Sequence, residues 1–520
     1  MTYVQAFALA ASDYPEAVPI FLCTLLAFPI LYRLFIHPLS HVPGPLPARI
    51  TSFYLYAVCY LGIECRLLAH YHRKYKTSVL RIAPNAVSIS DGAALHQIYV
   101  AEGGFSKDSR YENFKVGGHD TIFSARDTAY RDLRAKAVLP LFATGRVRAA
   151  GEDGGIIRNC VRKFIERFES EKVGAVRRTP NAAKIDVLDL AYRLMMDSTT
   201  GYLFNKTYNA LDEQPVSAHA SGPPKAASHP NKMSAVPFIF AIVDAGRFSL
   251  LPTWLFHALN FTFGWLFPDS EFLESLACVH DFAAALADDV DPEKGDTYQS
   301  RLLAAGISRS EMIAQCMAVM FAGTDSTAVK LVTIIFHLVQ NPRVHDRLRE
   351  EISVLGKDPA TDPQTLPYLR AVIREGLRLG MANPARFSRT VPPGGFEIGE
   401  IYLPAGTDVG LAPYVLHHNP ELFLEPFAFR PERWLDEGKG TLTRSERQRR
   451  EMERDLVPFS AGLRACIARN FAIHVLFVAT RAIVESGLLG GARTCTKTIE
   501  LEEYFNTAIK GHKLLIEWSR

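Results

Sequence analysis

The 520-residue chain is 48% hydrophobic and 22% charged, a balance that excludes disordered, collagen-like and coiled-coil proteins. Its 58 Lys and Arg against 55 Asp and Glu leave a net charge of +3, without the basic excess that points to nucleic acid. Its eight cysteines (Cys23, Cys59, Cys65, Cys160, Cys278, Cys316, Cys466 and Cys495) are scattered with no CxxC, so no disulfide framework or structural zinc follows and a reducing compartment is the simpler setting.

From Ala17 to Tyr32 there is no charge, and after Arg33 the apolar character resumes through Ile36. That is about the 20 residues a bilayer core requires. A cleaved signal peptide is the competing reading, but no Lys or Arg precedes the run and no small-residue cleavage site follows it. Asp13 and Glu16 stand before the run and Arg33, His37 and Arg49 after it, which puts the bulk of the protein in the cytosol. The expected division is a short lumenal segment (1–16), a transmembrane anchor (17–36), a proline-rich hinge that excludes helix (37–48) and one globular domain (49–520). Within that domain, Val79 to Ser90 reads as a hairpin turning at Pro84-Asn85. Helical periodicity covers Ile156 to Phe168, Val187 to Leu203, Arg309 to Gln340, Pro342 to Leu355 and Tyr368 to Leu379. Asn205 to Lys232 and the charged run Gly438 to Asp455 read as surface loops. No repeat at solenoid spacing is present.

The sharpest signal is PFSAGLRACIARNF, where Phe459, Gly462, Arg464 and Cys466 fall at the spacing FxxGxRxC. Cys466 stands just before an amphipathic helix, whose free N–H groups and positive dipole end favour a thiolate, the metal-binding form. A buried inert thiol is the alternative for this residue. Upstream, FAGTDSTAVKL sets Ala322, Gly323, Thr324, Asp325, Ser326 and Thr327 in a long apolar helix, an acid beside a hydroxyl where burial is costly without purpose. IREGLRL carries Glu375 and Arg378, and FRPERW carries Arg433. There is no GxGxxG, Walker loop, HExxH or GxSxG, so nothing here binds a nicotinamide or flavin, cuts phosphate or builds a hydrolase elbow.

These motifs resemble those of the cytochrome P450 family, the heme-thiolate monooxygenases, over essentially the whole chain after the anchor. The resemblance implies a mainly α fold with small β-sheets around a buried heme b, behind an N-terminal transmembrane helix. It implies Cys466 as the axial iron ligand, with Phe459, Gly462, Ala322 and Gly323 against the heme and Arg464, Tyr130, Arg134 and Arg389 toward its propionates. Asp325, Ser326 and Thr327 would serve oxygen activation, with small residues leaving room above the iron, and Glu375, Arg378 and Arg433 would lock the fold behind the heme loop. Phe105, Phe123, Ala318, Asn383, Pro384, Phe387 and Asn506 would line an apolar pocket for a hydrophobic substrate of lipid, terpenoid or polyketide character.

The sequence departs from the family pattern in three places. Ala468 stands where Gly is usual, with a methyl that would crowd the helix start, Ser326 where Thr is usual, and Tyr130 where Trp or His is usual. The implied partners are an NADPH-dependent flavoprotein reductase, a cytochrome b-type donor and membrane lipid, with no nucleic acid, and the implied location is the endoplasmic reticulum membrane. The hinge and the RIAPNAVSISD segment are similar to filamentous-fungal members of secondary metabolism. Two other readings are an oxygen-independent isomerase or dehydratase of the same family and a heme sensor without turnover.

Overall fold

The computed structural model describes residue 24 and residues 27–178, 183–213, 233–288, 296–358, 361–435 and 446–518. Much of the predicted anchor therefore lies outside the described residues. Its described end, Ala27–Ile36, is a short apolar helix with Phe28, Leu31, Phe35 and Ile36 exposed. The proline-rich stretch after it does not stand off as a free spacer. Leu39 and Val42 are fully buried, and the buried Arg81 donates from Nη1 to the carbonyls of Arg33 (2.8 Å) and Leu39 (3.2 Å), fastening the stretch to the first strand. Helix is excluded only as far as Pro45. Leu46–Ile50 is helical, with Pro47 in its first turn, where a missing N–H costs nothing.

The hairpin forms as read, β1 (Val79–Ala83) against β2 (Ala86–Ile89). It continues into a five-stranded sheet with β3 (Ser106–Lys107), β4 (Arg389–Thr390) and β5 (Asp408–Leu411), in the order β1-β2-β5-β4-β3. Only the β2–β5 pair is parallel. This register sets Lys107 directly opposite Arg389.

Three smaller sheets lie elsewhere in the described residues, and the main helices are α1 (Thr128–Val138), α2 (Ile156–Arg178), α3 (Val187–Phe204), α4 (Thr253–Leu266), α5 (Arg309–Gln340), α6 (Pro342–Leu355), α7 (Pro367–Leu379), α8 (Glu446–Asp455) and α9 (Arg469–Glu485). Among the described residues α5 alone is long and apolar enough to cross a bilayer, yet most of it is buried and it forms the axis of the globule. It starts at Ser308, whose hydroxyl accepts the Glu311 N–H, and ends before Pro342. Along it pack α3, α7 and α9 through Leu194, Met195, Leu331, Ile334, Ile373, Val475 and Leu476, all within one core.

The charged run read as a loop is in part a helix. Within α8, Arg447 pairs with Glu451 (3.0 Å) and Arg450 with Glu446 (3.2 Å), the spacing that supports an exposed helix, while Met452 seats against Leu422 and Phe423. Residues 438–445 of that run and 214–232 of the other predicted loop lie outside the described residues.

One polar cluster crosses this core. Glu375 and Arg378, one turn apart on α7, have fully buried side chains and pair through two hydrogen bonds (2.7 and 3.0 Å). Glu375 also accepts from Arg433 Nε (3.0 Å), Trp434 Nε1 (2.9 Å) and the Arg430 N–H (3.0 Å). Arg378 donates onward to the carbonyls of His417 (2.9 Å), Pro426 (2.5 Å) and Ala428 (3.1 Å). Burial opposes the charge on Glu375, but the arginines beside it hold its carboxyl below the usual range. Removing the acid leaves two guanidinium groups buried without compensation, a loss of about 3–5 kcal/mol. Glu375→Gln should therefore unfold far more readily in a denaturant titration; a midpoint equal to that of the parent would contradict this account of the cluster.

Candidate active site

The cysteine loop is tied to the Glu375 cluster by a histidine. His417 is fully buried and neutral, its ring pushed down to about 3 chiefly by burial. Its Nδ1 lies 3.1 Å from the Arg378 carbonyl, and its Nε2 accepts the Val457 N–H at 3.0 Å, which makes Nδ1 the protonated nitrogen. Val457 opens the loop. From there the chain turns back on itself, with the Cys466 N–H donating to the Phe459 carbonyl at 2.9 Å. Gly462 has φ +71°, and a Cβ on it would lie 1.7 Å from the Tyr99 carbonyl oxygen. Glycine is thus required here by the backbone and by packing on Tyr99.

Ala468 caps α9 with φ −90° and ψ 13°, a conformation any residue adopts, so the alanine costs no backbone strain. Its N–H reaches the Cys466 sulfur. Burial pushes the thiol up, and this N–H, Lys330 and Arg469 act in the opposite direction. The Cys466 side chain is open to space although protein surrounds it, so the sulfur faces an internal cleft and not the outer surface.

On α5 a stripe at four-residue spacing is open in the same way. Ala322 is exposed in the middle of a buried helix, flanked by half-buried Ala318 and Ser326. The Ser326 hydroxyl donates to the Ala322 carbonyl at 2.8 Å. Gly323 does not belong to this stripe. A Cβ there would lie 2.7 Å from Thr199 Oγ1, so this glycine lets α3 pack against α5 instead of making room in the cleft. Thr324 and Thr327 are buried.

Asp325 is buried beside the stripe and held by two groups. Tyr192 donates to Oδ1 (3.1 Å) and Asn506 to Oδ2 (3.3 Å), and Asn506 in turn accepts from Asn383 (3.0 Å). Burial pushes the carboxyl up to about 6, against the pull of Asn506 and Tyr192. An acid so placed exchanges protons near neutral pH.

Four cations gather at the other end of the cysteine loop. Lys107 is buried, and burial together with Arg389, Arg464 and Arg131 pushes its ammonium well below the usual lysine range. Arg464 donates to the carbonyls of Ala125 (2.9 Å) and Arg126 (3.1 Å), and Arg389 to that of Ser388 (2.9 Å). Arg131 pairs with Asp132 (3.0 Å), but among the described residues no carboxylate forms an ion pair with Lys107, Arg389 or Arg464, so these three are placed to meet an anion.

Tyr130 and Arg134 are not part of it. The Tyr130 hydroxyl donates to Glu311 Oε1 (2.6 Å), and the Arg134 guanidinium forks onto the same carboxylate. Glu311, at the start of α5, takes up both groups that the sequence assigned to a propionate.

The proposed pocket residues divide. Phe123 joins Tyr111, Phe114 and Phe505 in an aromatic cluster with ring centroids 4.7–6.4 Å apart. Asn383 belongs to the Asp325 chain, and the buried Pro384 accepts the Tyr414 N–H (3.3 Å). Phe105 packs on Phe396 and Phe387 on Tyr99, both against the sheet's own core.

Comparison with known proteins agrees with this geometry. The family model for cytochrome P450 matches residues 66–486. Cytochrome P450 monooxygenase mfmF of Annulohypoxylon moriforme is 46% identical over 512 residues, covering 96% of this chain and 99% of that protein. Cytochrome P450 monooxygenase aneF of Aspergillus aculeatus is 26% identical over 466 residues, covering 85% of this chain and 87% of that protein. A crystal structure of a cytochrome P450 matches with a TM-score of 0.65 at 16% identity, covering 88% of this chain and 94% of that one, a likeness of fold. The chain belongs to the cytochrome P450 family. Membership implies a heme held by a cysteine thiolate, and the residues fit it: an inward sulfur at a helix N-terminus, an open small-residue stripe and unpaired cations for carboxylates.

Sequence reasoning missed Tyr192, Lys107, Arg131 and His417. Each is an ordinary residue in its own segment and is brought to the site only by the fold.

Asp325 gives a pH signature. Its folded value near 6 exceeds the ordinary 3.8, so relative to the unfolded chain its stabilising contribution is complete below about pH 4 and is lost as pH rises through 6. The loss amounts to about 3 kcal/mol. Between pH 4 and 8 the parent should lose stability relative to Asp325→Asn; parallel stability profiles would show that the carboxyl is not buried in this way.

Proposed function

We propose that this chain is a heme-thiolate monooxygenase that inserts one oxygen atom of O2 into a hydrophobic small molecule. The observation that carries the reading is the Cys466 sulfur turned inward, with the open Ala318–Ala322–Ser326 stripe and Asp325 on the neighbouring helix. Heme b, when bound, supplies reductive activation of dioxygen and transfer of one of its atoms. Cys466 would hold its iron, and Lys107, Arg389 and Arg464 would receive its carboxylates.

The protein's own part is positional and protonic. Ala322 keeps the helix surface clear, the Ser326 hydroxyl stands beside that opening, and Asp325 holds a proton that Tyr192 and Asn506 keep in place. A side-chain acid of this kind contributes roughly 10²–10⁴-fold to a step that consumes protons. This acid and hydroxyl pair favours oxygen activation over an oxygen-independent rearrangement. The aromatic cluster of Tyr111, Phe114, Phe123 and Phe505 supports a hydrophobic substrate, with a terpenoid or polyketide intermediate of fungal secondary metabolism as the candidate class. Electrons come from NADPH through a separate flavoprotein reductase, with a cytochrome b-type protein as a second donor.

The test is turnover of terpenoid and polyketide candidates with NADPH, a reductase and ¹⁸O2. One ¹⁸O atom per product is expected, with Asp325→Asn at least about tenfold slower. Product formed without oxygen or NADPH would replace monooxygenation by rearrangement.

The location that fits is the endoplasmic reticulum membrane, reached by a single span with the catalytic domain in the cytosol. Besides the Ala27–Ile36 helix, α4 and the residue after it expose Trp254, Phe261, Trp265 and Phe267, each more than two-thirds accessible. Aromatic rings of this kind suit the membrane interface. Protein lacking residues 1–36 should still float with phospholipid vesicles and lose this on Trp265→Ser with Phe267→Ser; a truncated protein that stays fully in solution would contradict the second contact.

A further inference from the structure

The spacing of the open α5 stripe continues into the buried part of the helix. One turn beyond Ser326, at the same spacing that joins Ala318, Ala322 and Ser326, stands Lys330. It is 3% exposed, an unusual depth for a lysine. Its Nζ donates to the Ser326 carbonyl at 3.1 Å and lies 5.6 Å from the centroid of the Phe459 ring. Phe459 belongs to the cysteine loop, and its carbonyl accepts the Cys466 N–H. The ammonium is therefore carried from the central helix to the loop that holds the sulfur.

Its surroundings leave it short of a counter-ion. Among the described residues it forms no ion pair with a carboxylate. The negative groups that act on it are Cys466 first and Asp325 second, and Asp325 is already engaged by Tyr192 and Asn506. A buried cation satisfied by one carbonyl is expensive unless a negative charge stands nearby. Burial lowers this ammonium to about 8, which leaves it largely charged at neutral pH.

We propose that Lys330 is the buried counter-charge of the Cys466 thiolate and raises the reduction potential of the iron bound there. The inference rests on Cys466 being the axial ligand. Taking one electron from the reductase converts ferric to ferrous iron and adds one negative charge to the site, with no bond made or broken. A fixed cation nearby stabilises the reduced form more than the oxidised one. Lys330 is thus a tuning residue that acts through the thiolate and touches neither substrate nor the reacting atoms.

Redox titration of purified holoenzyme, following the heme spectrum against mediator dyes, tests this. Lys330→Met keeps the length of the side chain and removes the charge, and its ferric/ferrous potential should move to more negative values. Lys330→Gln, which keeps a donor for the Ser326 carbonyl, should move the same way, and Lys330→Arg should stay near the parent. Unchanged potentials in both neutral variants would overturn the proposal, as would a Lys330→Arg potential displaced as far as that of Lys330→Met. In all three variants the reduced carbon monoxide complex should keep the red-shifted band of a thiolate ligand. If the parent itself lacks that band, the ligand reading fails first; if the band is present and the potential does not move, Lys330 alone is refuted.

Discussion

The arrangement of this molecule depends on one buried carboxylate. Glu375 has no access to water and accepts hydrogen bonds from Arg378, Arg433, Trp434 and the backbone of Arg430. Desolvating one acid and two guanidinium groups is costly, and it is tolerated only because every lone pair meets a donor. The consequence is geometric. Arg378 gathers the carbonyls of residues 417, 426 and 428, and His417 passes that constraint to Val457, the first residue of the cysteine loop. The loop is thereby fixed to α7 through hydrogen bonds that have few alternatives.

Given that scaffold, the site divides its electrostatics by position. At one end of the cysteine loop four cations crowd together, and burial beside the arginines lowers the proton affinity of Lys107 and Arg464, a setting suited to an anion. On α5 stands one acid near neutrality, held by a phenol and an amide instead of a base. Between them the sulfur sits under opposing influences, burial favouring the thiol and the helix N-terminus with Lys330 favouring the thiolate.

The sequence was most legible where a requirement is local. Long helices showed their period because one face is buried along the whole length, and the hairpin showed its turn at Pro84-Asn85. Cys466 was found because its neighbours at fixed spacing serve one loop. What was not legible depends on partners far along the chain. Tyr130 and Arg134 look like anion holders until Glu311 arrives from 177 residues beyond Arg134. Gly323 reads as space above an iron, but the space is filled by Thr199 on α3. The charged run before the cysteine loop reads as solvated, and part of it forms α8 because Met452 has an apolar seat. Ala468, a departure from the family pattern, proves harmless to the backbone because its φ is negative.

The central claim is that Cys466 binds heme iron as a thiolate. It is tested most directly by the visible spectrum of the dithionite-reduced protein with and without carbon monoxide. The account predicts the strongly red-shifted Soret band of a thiolate-ligated complex, lost in Cys466→Ala. Well-folded protein that binds heme but shows an unshifted band, or that shows the same shifted band without Cys466, would contradict it.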